Sequence, residues 1–316
     1  MHADGAMSAP TATHPNLNIS PRKNMRRWFF IGMSSCMIAV IVVIIGIGEV
    51  MTGPASTAVE SLSSDFPVEP VQIPLNADSS VHGWLARGAH GGGVVLLVHS
   101  IRSNRLEMLS RARFLNKQGY GVFLIDLQAH GETPGKRITF GLRESEDVEA
   151  AMAFLRETFP SERIAAIGVS LGAAAIVLAK HALRLDAVVL ESLHPTIEEA
   201  VENRLRLHLG EYGPVLLPLV LAQLAFYLDV SIDELGPITR IGDLNAPLLL
   251  IAGSADEHTK VSETERLFVA ARQPKDIWIV PGAGHFNMHS YAGREYEILC
   301  LPSTLFSDFP HHAGSV

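Results

Sequence analysis

Gly168-Val169-Ser170-Leu171-Gly172 constrains this chain more than any other stretch. It joins two segments of opposite character. Residues Arg163 to Ile167 read as a short buried strand, and Ala173 to Lys180 read as a helix. A serine at so abrupt a strand-to-helix turn sits on strained backbone that packs close to its neighbours. Glycine two residues before and two after relieves that crowding and leaves the hydroxyl exposed. The five-residue pattern alone recurs by chance, so its weight depends on what the other strands deliver to the same edge.

Strands and helices alternate around that turn. Val71 to Leu75 and Val81 to Leu85 are separated by the polar run Asn76 to Ser80, which predicts an antiparallel hairpin. Val94 to Val98 is continuously apolar, the mark of a strand buried on both faces. Arg105 to Gln118 places Leu106, Leu109, Ala112 and Leu115 on one helical face, with Gly119 as its stop. Val122 to Ile125, Ile164 to Val169, Ala187 to Leu190, Pro247 to Ala252 and Ile277 to Val280 are further strands, and Arg143 to Thr158 a further helix. Such alternation implies an α/β fold: a mostly parallel sheet flanked by helices, with the first hairpin as an antiparallel edge.

Two segments break the rhythm. Trp28 to Gly48 is a run of 21 residues without a charge, the source of a mean hydropathy of +0.22. About 20 apolar residues suffice to cross a bilayer as a helix. Arg22, Lys23, Arg26 and Arg27 precede the run, and Glu49, Glu60, Asp65 and Glu69 follow it, which predicts a cytoplasmic N-terminus and an extracytoplasmic remainder. A cleaved signal peptide is the competing reading, with Ala55 to Ala58 as small residues for a peptidase; its apolar core is usually about 7 to 15 residues, shorter than this one. The expected organisation is a cytoplasmic tail (1–27), a transmembrane anchor (28–48), a linker (49–70) and one domain (71–316). Inside that domain, residues 192–246 exceed what a crossover helix needs. They hold an amphipathic part, Ile197 to Leu209, and an almost wholly apolar one, Val215 to Leu228, read as a helical cap over the active-site mouth because the apolar part is short for a membrane span.

The net charge of −8 and the absence of a basic patch beyond the anchor argue against nucleic-acid binding. Two cysteines, Cys36 within the apolar run and Cys300, give neither a disulfide framework nor a cysteine-based zinc site. No metal or other cofactor is expected. His311-His312 has no carboxylate cluster to support a metal.

A serine hydroxyl becomes a nucleophile only with a base, a group that orients the base, and donors for the developing oxyanion. His285, on the glycine-rich loop after the last strand, is the candidate base among 14 histidines. Asp256 ends Gly253-Ser254-Ala255-Asp256 after a buried strand and is the candidate orienting acid, with Glu257 beside it as a solvated competitor. Candidate oxyanion donors are the Leu171 amide, at a helix N-terminus, and the Ile101 amide in the loop His99 to Ser103, with Ser100 as second choice. Ser100 and Arg102 are candidates for substrate contact, Arg102 and Arg105 through an anionic group, although the arginines serve equally well as ion-pair anchors of the loop.

Val98-His99-Ser100, Asp126 to Thr133, the turn at Ser170, Gly253 to Asp256 and Gly284-His285 together resemble the α/β-hydrolase superfamily, in particular bacterial serine hydrolases with a short cap. The resemblance runs from about Val71 to Leu301, and Ser, Asp, His is its chain order. It implies the α/β-hydrolase fold, with the Asp126 and His130 loop structural and His130 hydrogen-bonded locally. One departure is His99-Ser100 where the family has His-Gly; a β-carbon would strain a glycine-only backbone. The resulting expectation is a serine hydrolase cleaving an apolar small-molecule ester through an acyl-enzyme. A peptidase or amidase, or a non-catalytic binding protein on the same scaffold, are the alternatives.

Overall fold

The computed structural model describes residues 21–60, 66–76, 79–285 and 287–301. Residues 1–20 of the expected tail (1–27) and His311-His312 lie outside them. The chain divides into two compact units, Met1–Ile45 and Gly46–Val316. The apolar run is helical as part of α1 (Pro21–Thr52), of which residues 24–52 are long and apolar enough to cross a membrane.

In the second unit the strands are β1 (Ala55–Ser56), β2 (Glu69–Asn76), β3 (Ser79–Ala86), β4 (Val94–Val98), β5 (Gly121–Ile125), β6 (His130–Gly131), β7 (Ile164–Val169), β8 (Ala187–Glu191), β9 (Leu248–Gly253) and β10 (Lys275–Val280). Eight of them form one sheet in the order β10-β9-β8-β7-β4-β5-β3-β2. The hairpin β2–β3 and its junction with β5 are antiparallel, and every other pairing in this sheet is parallel. Helices α2 (Leu109–Lys117), α3 (Glu144–Thr158), α4 (Leu171–Val177) and α7 (Val261–Ala270) connect the strands. Period-two alternation divides the core. Val94, Leu96 and Val98 join Val148, Ala151 and Leu155 of α3. Val95 and Leu97 join Ala112 and Leu115 of α2. With both faces covered, β4 has no polar position, and each buried aliphatic side chain contributes roughly 1.5–3 kcal/mol.

The segment expected to be a linker (49–70) is a linker only in part. α1 runs to Thr52, and Ala55–Ser56 then pairs with β6 in a small parallel sheet. The Ala55 amide donates to the Ala129 carbonyl at 2.7 Å and the Thr57 amide to Gly131 at 2.9 Å, main-chain bonds that polar composition does not betray. The Thr52 carbonyl accepts from the Ile138 amide at 2.8 Å, and Arg137 pairs with Glu49 at 2.9 Å.

After β8 the long insertion forms α5 (Ile197–Leu209) and α6 (Leu217–Leu228), which pack on each other. Residues Ile197–Leu228 are in sum long and apolar enough to span a membrane, but Gly210, at φ 72°, ends α5, and Pro218 lies in the first turn of α6, where proline is tolerated. The expected apolar helix is only half-buried. Val220, Leu224 and Leu228 face inward, whereas Leu219 and Phe226 are exposed. Two short C-terminal helices, α8 (Met288–Ala292) and α9 (Arg294–Leu299), close the unit.

Candidate active site

Ser170 leaves β7 with φ 50° and ψ −105°, backbone that a residue with a β-carbon adopts only under constraint. The constraint is visible on both sides: its amide donates to the Glu191 carbonyl at 2.8 Å, and its carbonyl accepts from Ala174 at 2.9 Å as α4 begins. A β-carbon at Gly172 would stand 2.4 Å from the Val98 carbonyl oxygen, and one at Gly168 would stand 2.7 Å from the Ala173 nitrogen. Both glycines are therefore required by close backbone approach.

Asp256 and His285 meet at this edge. The His285 Nδ1–H donates to Asp256 Oδ2 at 2.8 Å. Asp256 is buried, and its other oxygen accepts from the amides of His258 (2.8 Å) and Thr259 (2.9 Å), while the Ser192 hydroxyl donates to Oδ2 at 3.1 Å. Burial works against its charge. The His285 bond and charge, with the Thr259 and His258 amides, outweigh it and hold the carboxyl below the ordinary Asp value. Glu257 is exposed.

Ile101 and Leu171 line one pocket with Ser170. Neither amide donates to another described residue. Ser100 and Arg102 do not line that pocket. The Ser100 amide and hydroxyl both donate to Glu107 Oε2 at 2.8 Å, and Arg102 donates to the Val50 and Gly53 carbonyls. Expected substrate contacts thus serve as loop and chain anchors. The feared strain at Ser100 is absent too, because the left-handed residue of this loop is Arg102, at φ 58°.

His99 gives the loop its shape. Its Nε2 accepts the Leu127 amide at 3.0 Å and its Nδ1–H donates to the Ser100 carbonyl at 2.7 Å, which fixes a neutral imidazole. Its ring lies 5.2 Å from that of His130, whose Nδ1–H donates to the Gln128 carbonyl at 2.8 Å. Asp126 accepts from Arg105 and from the Glu132 amide, a structural knot beside Trp84. Burial pushes the His99 imidazole down to about 4. In the unfolded chain it would protonate near 6.5, so below that pH the unfolded state takes up the extra proton. The stability held above pH 6.5 is then lost as pH falls toward 4, at about 1.4 kcal/mol per unit. The Tm difference between wild type and His99→Gln, in detergent, is expected to shrink from pH 7 to pH 4.5. A constant difference contradicts a buried neutral His99.

Residues that sequence reasoning missed complete the pocket. Met51 and Phe140 add apolar walls, and Ile197, Ala200 and Arg204 reach it from α5. Their spacing of three and four is a helical stripe, legible once α5 is assigned to the cap. His194, also lining it, follows β8, where strand ends converge. The His258 ring lies 4.9 Å from His285. The pocket is narrow, with free volume of about 20 Å³, room for about one water. A broader cleft of about 760 Å³ beside Trp84 and Arg105 is lined by neither Ser170 nor His285. No group of three or more His, Cys, Asp or Glu side chains among the described residues is spaced to hold a metal ion.

The sequence profile of the alpha/beta hydrolase family matches residues 81–297. An uncharacterized protein of Mycobacterium tuberculosis is 31% identical over 247 residues, 76% of this chain and 81% of that protein. The uncharacterized protein YqkD of Bacillus subtilis is 25% identical, covering 70% and 77%. Among solved structures, the Pyrococcus furiosus esterase Pf2001 superposes with a TM-score of 0.63 at 23% identity, over 80% of this chain and 98% of that one. A Paleococcus ferrophilus monoacylglycerol lipase gives 0.53 at 20% identity, over 71% and 98%. The two superpositions bear on the fold alone, whereas the profile and the mycobacterial relative bear on descent: this chain belongs to the alpha/beta hydrolase family.

Proposed function

We propose that the protein is a membrane-anchored serine hydrolase that cleaves a small-molecule ester through Ser170, His285 and Asp256. One observation carries the reading: the strained turn at Ser170 opens on a pocket shared with residues 101 and 171, and a hydrogen-bonded Asp256–His285 pair stands at the same edge. With Nδ1 engaged by Asp256, His285 Nε2 accepts the Ser170 proton as Oγ attacks the acyl carbon. The amides of Ile101 and Leu171 stabilise the oxyanion. Collapse breaks the C–O bond, and His285 returns the proton to the departing alcohol. Water deprotonated by His285 then attacks the acyl carbon; the bond to Ser170 Oγ breaks, His285 returns the proton to Oγ, and the acid departs. The esterase and the lipase of the same fold favour ester over amide. Because the narrow pocket admits about one water, an acyl chain enters it only as the side chains that line it part.

The end of α1 favours an uncleaved anchor over a signal peptide. Met51 lines the pocket, and Arg137 holds both Glu49 and, at 2.8 Å, the Thr52 hydroxyl. Cleavage near Ala55–Ala58 would remove a wall of the site. The basic residues before the helix favour an extracytoplasmic catalytic unit. In cells expressing the full chain, hydrolysis of 4-nitrophenyl butyrate is expected to remain with carbonate-washed membranes and to disappear in Ser170→Ala. Activity released into the soluble fraction contradicts the anchor; undiminished activity in Ser170→Ala contradicts the mechanism.

A further inference from the structure

We propose that the ester cleaved by this protein carries a carboxylate, bound by Arg204 of α5. The inference rests on the serine-hydrolase reading and specifies its substrate class. Arg204 lines the pocket that holds Ser170. It is only partly accessible to solvent, and it forms no ion pair among the described residues. Among the described residues its one side-chain hydrogen bond runs from Nη1 to the Ala200 carbonyl, one turn back on its own helix, at 2.9 Å.

The carboxylates around it are already committed. Asp256 receives His285, Ser192 and the amides of His258 and Thr259. Glu263 receives the Asn203 amide nitrogen at 2.7 Å and the Lys260 amide at 3.3 Å. Burial weighs against the Arg204 charge more than the attraction of Asp256 and Glu263 favours it, so the guanidinium is left short of compensation. At this position the anion can arrive with the ligand. The Nε and Nη2 donors that remain form a planar fork matched to two carboxylate oxygens.

His194 is a second unused polar group in the same pocket. It is buried, and its Nε2 has no hydrogen-bond partner. Burial, then the charges of Arg204 and His285, push its pKa down to about 3, so it stays neutral and adds no competing positive charge. The remaining walls, Met51, Ile101, Phe140, Leu171 and Ile197, are apolar. A substrate with a short apolar stem between the scissile carbonyl and a terminal carboxylate satisfies both halves of the lining.

The test uses the full-length protein in detergent and two esters matched in length, mono-4-nitrophenyl glutarate and 4-nitrophenyl hexanoate. Wild type is expected to favour the glutarate ester in kcat/KM, chiefly through KM. Arg204→Gln is expected to reduce the glutarate-to-hexanoate ratio by about 30-fold or more, with Arg204→Lys between the two because a point charge cannot reproduce the fork. Free glutarate should bind the Ser170→Ala protein by calorimetry and lose that binding when Arg204→Gln is added. This arm reads the subsite without any turnover. No preference in wild type, or an equal loss on both esters in Arg204→Gln, overturns the subsite and leaves Arg204 acting on Asp256 or on the fold. Glutarate binding to Ser170→Ala without turnover of either ester by wild type keeps the subsite and overturns the hydrolase reading.

Discussion

Asp256→Asn is expected to lower kcat about 10⁴-fold while the protein stays folded. The size of the effect follows from how the carboxylate is held. Oδ1 accepts two backbone amides, from His258 and Thr259, so an asparagine keeps its carbonyl oxygen on that side. Its NH₂ group then faces His285 Nδ1 in place of Oδ2. An amide donor there demands an unprotonated Nδ1, which moves the imidazole proton to Nε2, the atom that must accept the Ser170 proton. The substitution thus inverts the tautomer without removing volume. Turnover of 4-nitrophenyl butyrate measures the loss, and an unchanged Tm separates it from unfolding. Glu257→Gln, at an exposed position, should leave kcat within a few-fold; an equal loss there would show that the wrong acid has been assigned.

Arg111→Met is expected to destabilise the catalytic unit by about 3–5 kcal/mol. Arg111 is fully buried, with Nη2 2.6 Å and Nε 3.0 Å from the two oxygens of Glu191, which is fully buried as well. The Tyr296 hydroxyl donates to the same carboxylate at 2.6 Å and ties α9 to the end of β8. Burial opposes the charge on Arg111, but Glu191 and Tyr296 outweigh it and the guanidinium stays protonated. Removing the arginine alone strands a carboxylate in the core. Removing both charges, Arg111→Met with Glu191→Leu, should recover most of the loss, because the attraction in the pair is largely offset by desolvation. Thermal or denaturant unfolding in detergent measures both. A single-variant loss below about 1 kcal/mol contradicts the buried pair. The pair also bears on the site, since the Glu191 carbonyl accepts the Ser170 amide.

Much of the fold was legible because the sheet is buried on both faces. Such strands read as unbroken apolar runs, and β4 and β7 begin and end where the sequence placed them. The hairpin was legible from period-two alternation around a polar turn. What escaped was interaction at a distance. Ala55–Ser56 pairs with a strand more than 70 residues away, and nothing in two small residues announces it. The positions of Ser170, Asp256 and His285 could be read because each follows a strand that ends at one edge. The engagement of Ser100 by Glu107 and of Arg102 by backbone carbonyls could not, because both depend on where separate segments dock. Arg204 escaped for a related reason: its helix had to be placed over the pocket before its charge acquired a meaning.

The most direct test of the central claim is reaction of the full-length protein, in native membranes, with a fluorophosphonate probe, followed by mass analysis of the labelled peptide. A single covalent adduct is expected on Ser170, absent in Ser170→Ala and formed much more slowly in His285→Ala. An unlabelled wild type, or labelling that persists in Ser170→Ala, would contradict the assignment of Ser170 as the nucleophile.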